Sequence, residues 1–100
     1  MKWVWTWSGK YFGYIDGDNL WTYDGKHVGQ LSGDEIYGPD GSYLGEVMNK
    51  NRLITNRAKK SSRGPVFVPY ERRDGFGKST DDNCYPVYRD HEDFPPSERF

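Results

Sequence analysis

The sequence predicts a small all-β domain built from repeated β-hairpins. Three observations support this prediction: a composition rich in glycine and aromatic residues, a sixteen-residue internal repeat, and a turn signal at the same place in each repeat. Twelve Gly and six Pro in 100 residues argue against a helical protein, because both residues destabilise helix interiors. Aromatic residues make up 17% of the chain, so it has apolar surface to bury, which disordered chains lack.

The repeat is visible when the chain is written in rows of sixteen residues. The rows read GKYFGYIDGDNLWTYD from Gly9, GKHVGQLSGDEIYGPD from Gly25 and GSYLGEVMNKNRLITN from Gly41, and they align without gaps. Each row carries a second glycine four positions after the first, with one apolar residue between the two glycines and another two positions after the second. These second glycines are Gly13, Gly29 and Gly45. Three matching rows indicate three copies of one structural unit.

Each row begins with a turn signal. The pairs Ser8-Gly9, Asp24-Gly25 and Asp40-Gly41 are typical of two-residue hairpin turns, in which glycine accepts a positive φ. Folding back at these turns sets Trp5 opposite Phe12, Trp21 opposite Val28 and Tyr37 opposite Leu44. On the other face, Val4, Leu20 and Ile36 lie opposite Gly13, Gly29 and Gly45. We expect neighbouring hairpins to pack closely over these glycines.

A fourth, less regular unit follows. It begins at residues 52–55, is predicted to turn near Asn56-Arg57, and returns through residues 58–60. A lone hairpin is barely stable in water, so the four units must share one core around a common axis. The sequence therefore predicts a hairpin domain at residues 1–70 and a Pro/Asp-rich irregular tail at residues 71–100. We expect residues 1–70 to fold without this tail.

These features resemble those of the 4-fold beta flower proteins. The resemblance rests on the X-Gly turns, the G-x-x-[aliphatic]-G strands and the basic segment after the third unit, and it covers about residues 1–60. It implies four hairpins about a pseudo-fourfold axis. The shared motifs are structural, so the resemblance implies no catalytic residues. Asn56-Arg57 stands where the pattern has glycine, so the fourth unit departs from it.

Two short motifs could suggest ligand chemistry, but neither is complete. Gly75–Thr80 reads GFGKST, yet Arg72 occupies the position at which a phosphate loop needs its first glycine. Asp16–Asn19 offers oxygen ligands, but Leu20 follows where a calcium loop needs another. We interpret both segments as turns and predict no cofactor and no metal site.

The few nucleophilic and basic candidates point to no reaction. Cys84 and His91 lie in the predicted tail, without a third group to orient a catalytic base. His27 is interpreted as a residue on the surface of the sheet, because no second His or Cys is near it in the sequence. The sequence therefore predicts a protein that is not an enzyme and has no catalytic residues.

Cysteine usage and hydropathy suggest where the protein works. A single cysteine excludes an internal disulfide framework and fits a reducing compartment. The N-terminal residues KWVWTW lack the uninterrupted apolar run of a signal peptide. We therefore expect a cytoplasmic protein that does not enter a membrane.

One segment is strongly basic. Residues 50–63 hold six basic and no acidic side chains, whereas residues 1–49 carry a net charge of -4 and residues 64–100 one of -3. The basic residues are Lys50, Arg52, Arg57, Lys59, Lys60 and Arg63. Such a run binds nucleic acid through release of counterions, or it serves only to balance the two acidic segments. Binding of nucleic acid through residues 50–63 is the alternative function.

The favoured function is that of a small structural or interaction module. The predicted hairpins carry apolar residues on both faces, but a domain of this size has only one interior. Some apolar surface should therefore remain for a protein partner or for a second copy of the chain. Trp3 and Trp7 are the predicted anchors of that contact, because they flank the better shielded Trp5.

Overall fold

Eight β-strands form the protein, and the computed structural model describes all residues from 1 to 100. The strands are β1 (Lys2–Thr6), β2 (Tyr11–Asp16), β3 (Asn19–Thr22), β4 (His27–Ser32), β5 (Glu35–Tyr37), β6 (Tyr43–Met48), β7 (Arg52–Asn56) and β8 (His91–Asp93). Two short 3-10 helices follow β7 and β8, at Arg57–Lys59 and Ser97–Arg99. The all-β class predicted from the sequence is confirmed.

The strands close into a ring. Consecutive strands from β1 to β8 pair antiparallel, and β1 also pairs in parallel with β7, which closes a seven-stranded barrel. Two strands, β1 and β8, pair along the same edge of β7. Its first half, at Arg52 and Leu53, pairs with β1, and its second half, from Ile54 to Asn56, pairs with β8. The ring therefore has few unpaired edges, which protects it from edge-to-edge association.

The glycine turns have the predicted sign of φ but a different length. Gly9, Gly25 and Gly41 have φ values of 93°, 92° and 81°. The Gly9 N–H donates to the Thr6 carbonyl at 2.9 Å, and the Thr6 N–H donates to the Lys10 carbonyl at 2.8 Å. Each loop therefore has three residues and ends in a left-handed glycine, instead of the two residues that the sequence suggested.

The register agrees with the prediction on one face and differs on the other. Val4, Leu20 and Ile36 lie opposite Gly13, Gly29 and Gly45, as expected. One residue later a β-bulge shifts each pairing, so the residues opposite Trp5, Trp21 and Tyr37 are Tyr11, His27 and Tyr43. The extra residue of the bulge turns Phe12 and Val28 into the core, where both are buried.

The repeat glycines between the strands allow close approach, as predicted. A Cβ atom at Gly29 would lie 2.8 Å from the Ile36 Cγ2 atom. At Gly45 it would lie 2.6 Å from the Phe94 ring. Neighbouring strands and their side chains therefore occupy the space that a larger residue would need.

The third row of the repeat contains one additional residue. Val47 pairs with Leu53, whereas the corresponding pairs of the earlier rows are Ile15 with Leu20 and Leu31 with Ile36. Leu53 is fully buried and takes the core position of the two earlier residues. The gapless alignment of the rows is therefore wrong after residue 48, because the loop before β7 is longer by one residue.

The predicted fourth hairpin is also wrong in its second strand. Residues 57–59 form a 3-10 turn capped by Asn56, whose side-chain oxygen accepts the Ala58 N–H at 3.1 Å. In place of the predicted returning strand, β8 from the far end of the chain pairs antiparallel with β7. Phe94, directly after β8, is 1% exposed and joins the core. Residues 91–100, which the sequence assigned to an irregular tail, therefore add an eighth strand to the edge of β7 and a residue to the core.

Residues 60–90, here called the arm, run around the outside of the barrel. The N–H groups of Gly64, Arg73 and Asp82 donate to the carbonyls of the turn glycines Gly41, Gly25 and Gly9, at 2.7, 2.8 and 2.8 Å. Each step of nine residues along the arm thus passes one sixteen-residue unit of the barrel. Aromatic residues recur at the same spacing, at Phe67, Phe76, Tyr85 and Phe94. The sequence analysis missed this second repeat.

Candidate functional site

The basic segment does not form a free basic surface, because its arginine at position 52 is a buried anchor. Arg52 is 1% exposed, and its Nη1 group donates to the Asn83 carbonyl at 2.6 Å. Its Nη2 group lies 3.3 Å from the Asp82 carboxylate, and its guanidinium stacks 4.2 Å from the centre of the Tyr85 ring. Arg52 therefore holds the arm on the barrel.

Two of the neighbouring lysines are also paired within the chain. Lys59 bridges the carboxylates of Glu35 and Glu46 at 2.9 and 3.0 Å. These hydrogen bonds raise the pKa of Lys59, and the one from Lys59 is the main reason why the pKa of Glu35 is lowered. Lys60 pairs with Glu92 of β8. Of the six predicted nucleic-acid-binding residues, only Lys50, Arg57 and Arg63 form no ion pair. The nucleic-acid interpretation therefore has no support.

Trp7 is covered by the chain itself. It is 1% exposed, its Nε1 group donates to the Pro86 carbonyl at 2.8 Å, and its ring lies 5.2 Å from both the Tyr85 and the Tyr88 rings. Its assignment as a partner-binding residue is corrected, because the arm occupies its surface. Trp3 is 42% exposed and remains a candidate.

Trp3 forms one wall of a surface cleft of about 350 Å³, here called the aromatic cleft. Trp5, Tyr11 and the arm residues 76–79 complete the lining. The Trp3 ring packs edge-on against Phe76 at 5.4 Å, and Trp5 packs edge-on against Tyr11 at 5.5 Å. Phe76 is 57% exposed, so the cleft presents ring surface to the solvent.

The GFGKST motif forms the outer wall of this cleft. It lies in the arm without a preceding strand or a following helix, so it is not a phosphate loop. Its Thr80 carbonyl accepts the Trp5 indole N–H at 3.0 Å, and Gly77 has a φ of 78°. Lys78, at the rim, forms no ion pair. The sequence feature that could have indicated the aromatic cleft is therefore the pair Phe76 and Lys78 within a glycine-rich segment.

His27 is a buried structural residue and not a surface residue of the sheet. Its Nδ1 atom accepts the Tyr70 N–H at 3.0 Å, so its Nε2 group carries the proton and donates to the Gly29 carbonyl at 3.1 Å. The ring packs nearly parallel to both the Trp21 and the Tyr70 rings, with centre-to-centre distances of 4.9 and 5.1 Å. Burial is the main reason why the pKa of His27 is lowered. With both nitrogens engaged, His27 is not available as a ligand or a base.

We expect the protein to lose stability as the pH falls below about 6.5, the usual pKa of histidine. A folded-state pKa below the unfolded one means that the unfolded chain binds the proton more readily, so acid favours unfolding. Urea unfolding at pH 7.5 and 5.5 measures the effect. His27→Phe keeps the stacked ring and removes the titration, so its midpoint should change less between the two values. An equal change in both proteins would contradict the role of His27.

A second cleft, of about 390 Å³, lies beside His27 and is lined by Pro39, Pro69 and Phe100 among others. It is less suited to hold an aromatic ligand, because the Tyr70 ring already stacks on His27 there.

The remaining reactive residues each contact a nearby backbone carbonyl or a charged side chain. The Cys84 thiol contacts the Tyr85 carbonyl at 3.6 Å, and the His91 Nδ1 atom contacts the Arg89 carbonyl at 2.9 Å. Asp16, in the predicted acidic loop, pairs with Arg73 at 2.9 Å. No three His, Cys, Asp or Glu side chains lie together as metal ligands would. No helix of the chain has the length and hydropathy needed to span a membrane.

A closed ring of repeated glycine-turn hairpins, encircled by its own arm, defines a small all-β repeat protein. Residues 1–76 match the family described as 4-fold beta flower protein. The chain therefore belongs to this family, as its turns and strands suggested. Comparisons with curated proteins and with solved structures gave no match. The matched region ends at Phe76, within the wall of the aromatic cleft.

Proposed function

We propose that this chain is a non-enzymatic cytoplasmic module that binds another protein through the aromatic cleft. The observation that supports this function is the exposure of Trp3 and Phe76 at the mouth of a cleft walled by further aromatic rings. Large aromatic side chains at a protein surface are the residue types that contribute most to protein interfaces. The single exposed cysteine is consistent with a reducing compartment.

Neither exposed ring belongs to the core. The core cluster consists of aliphatic residues with Phe12 and Phe94, and it lies on the opposite face of the strands from Trp3. Trp3 and Phe76 contact each other and the buried Tyr14 ring, so they are held in place while their outer faces stay open. A preorganised apolar surface binds with little loss of side-chain entropy.

The Trp3→Ser variant tests this function, with Val68→Ser as its matched control. Val68 is 89% exposed and lies outside the cleft, so both changes remove exposed apolar surface. The wild type and both variants are used for affinity capture from the native host, and their thermal transitions are compared. We expect one protein to be captured by the wild type and by Val68→Ser, and at least about tenfold less by Trp3→Ser.

Sedimentation of the same three proteins identifies the case in which the partner is a second copy of the chain. Self-association that is lost in Trp3→Ser and kept in Val68→Ser would support the cleft as the contact. If capture and sedimentation are the same for Trp3→Ser and the wild type, the proposed function is wrong.

A further inference from the structure

We infer that residues 65–69 of the arm are the contact through which two copies of this chain associate about a twofold axis. The segment reads Pro-Val-Phe-Val-Pro, so its sequence is the same in both directions from Phe67. None of its residues lines the aromatic cleft, so the inference goes beyond the proposed function and does not depend on it. It rests on the period of the arm, on the exposure of its outer side chains and on the charges at the two ends of the segment.

The N–H groups with which the arm meets the barrel recur every three residues. The N–H groups of Gly64 and Phe67 donate to barrel carbonyls at 2.7 and 3.0 Å, and that of Tyr70 donates to the His27 ring at 3.0 Å. The two other glycine turns receive pairs of N–H groups with the same spacing. A period of three is that of a polyproline II helix, whereas a β-strand has a period of two. Every third residue therefore faces the barrel, and the residues between them form two outer ridges.

Both outer ridges carry exposed apolar side chains. One ridge holds Val66 and Pro69 and the other holds Pro65 and Val68, and all four residues are exposed. The exposed fraction is 72% for Val66 and 89% for Val68. Phe67 between them is half-buried, because its ring packs on the barrel. The apolar ridges are therefore held in place, and a contact formed by them loses little conformational entropy.

A twofold axis through Phe67 makes the two ridges complementary. Such an axis places each residue that precedes Phe67 beside the residue that follows it at the same distance in the second copy. Val66 then lies beside Val68 of the second copy, and Pro65 lies beside Pro69 of the second copy. The first ridge of each copy thus meets the second ridge of the other, and apolar surface is removed from water along both.

The same axis also matches the charges at the two ends of the segment. Arg63 stands four residues before Phe67 and Glu71 stands four residues after it, and both side chains are exposed. Neither forms an ion pair within the chain. Arg63 belongs to the ridge of Val66 and Glu71 to the ridge of Val68, so Arg63 of each copy lies beside Glu71 of the other. This charge complementarity favours a second copy of the chain over an unrelated protein.

Charge reversal at the two ends tests the inference on the full chain. A contact formed by one short segment is small and therefore weak, so sedimentation is followed up to about 1 mM protein. We expect the wild type to dimerise and the dissociation constant to rise at least about tenfold in Arg63→Glu and in Glu71→Arg, because each change replaces both ion pairs by like charges. The double variant Arg63→Glu/Glu71→Arg restores opposite charges and should dimerise like the wild type.

Arg57→Glu and Asp34→Arg are the matched controls. Both residues are exposed, form no ion pair and lie outside the segment. These variants change the net charge as much as the two test variants do, so they show what net charge alone contributes. We expect both to dimerise like the wild type.

Two further variants separate this inference from the proposed function. Val68→Ser should weaken the dimer and Trp3→Ser should not, and the aromatic cleft is then judged by capture of its partner alone. A wild type that stays monomeric at the highest concentration would overturn the inference, and so would a double variant that dimerises no better than the single ones. Self-association that is lost in Trp3→Ser and kept in Val68→Ser would overturn it as well, because the cleft would then be the contact.

Discussion

A chain that ends at Tyr70 is expected to have no cooperative thermal transition. It would lack β8, the core residue Phe94 and the arm contacts to the turns at Gly9 and Gly25. It would also leave the buried guanidinium of Arg52 without the Asn83 carbonyl and the Asp82 carboxylate, and an unpaired buried charge is strongly destabilising. Circular dichroism during heating measures this outcome. A sharp transition in the shortened chain would restore the sequence-based expectation that residues 1–70 fold alone.

The single substitution Phe94→Ala measures what the core contributes to the free energy of unfolding while the arm stays in the chain. Phe94 packs against Phe12 and Phe100 at 5.4 and 5.9 Å, so its loss leaves a cavity among aromatic rings. We expect the free energy of unfolding to fall by about 3–5 kcal/mol. Phe76→Ala is the matched control, because that ring is more than half exposed, and it should lower the free energy of unfolding by less than about 1.5 kcal/mol.

Substitution of Gly25 by alanine is expected to release the arm from its turn. The positive φ of Gly25 strains any other residue, and a Cβ atom there would overlap the Arg73 carbonyl oxygen. Gly17→Ala is the matched control, since Gly17 also has a positive φ of 61° but open space around its Cβ position. The backbone strain of a non-glycine residue at a positive φ alone lowers the free energy of unfolding by about 1–2 kcal/mol. We expect Gly25→Ala to lower the free energy of unfolding by at least about 2 kcal/mol more than Gly17→Ala does.

Limited proteolysis shows whether that additional loss comes from the arm. Arg72 and Arg73 are trypsin sites within the arm, and Arg72 is held by the Asp24 carboxylate of the same turn at 2.7 Å. Cleavage there should be faster in Gly25→Ala than in Gly17→Ala. Equal stability and equal cleavage of the two variants would mean that the arm does not depend on the glycine turn.

The local features of the barrel could be predicted because neighbouring residues determine them. The sixteen-residue repeat, the positive φ at the turn glycines and the pairing of Val4 with Gly13 follow from turn chemistry and alternation along the strand. The bulges were missed, since an extra residue in one strand changes the pairing without changing the pattern of apolar residues. The shift from Phe12 to Tyr11 opposite Trp5 is an example.

The sequence by itself determined the hairpins and the family. The tertiary structure alone decided which residues of the arm cover the hairpins. The path of the arm depends on backbone N–H groups meeting turn carbonyls more than twenty residues away, and backbone groups are the same in every sequence. For this reason Trp7 looked free although Pro86 and Tyr88 cover it, and Arg52 looked like part of a basic surface although it is buried. The aromatic cleft has the same origin. Trp5 and Ser79 are far apart in the sequence, and only the winding of the arm brings them to one site.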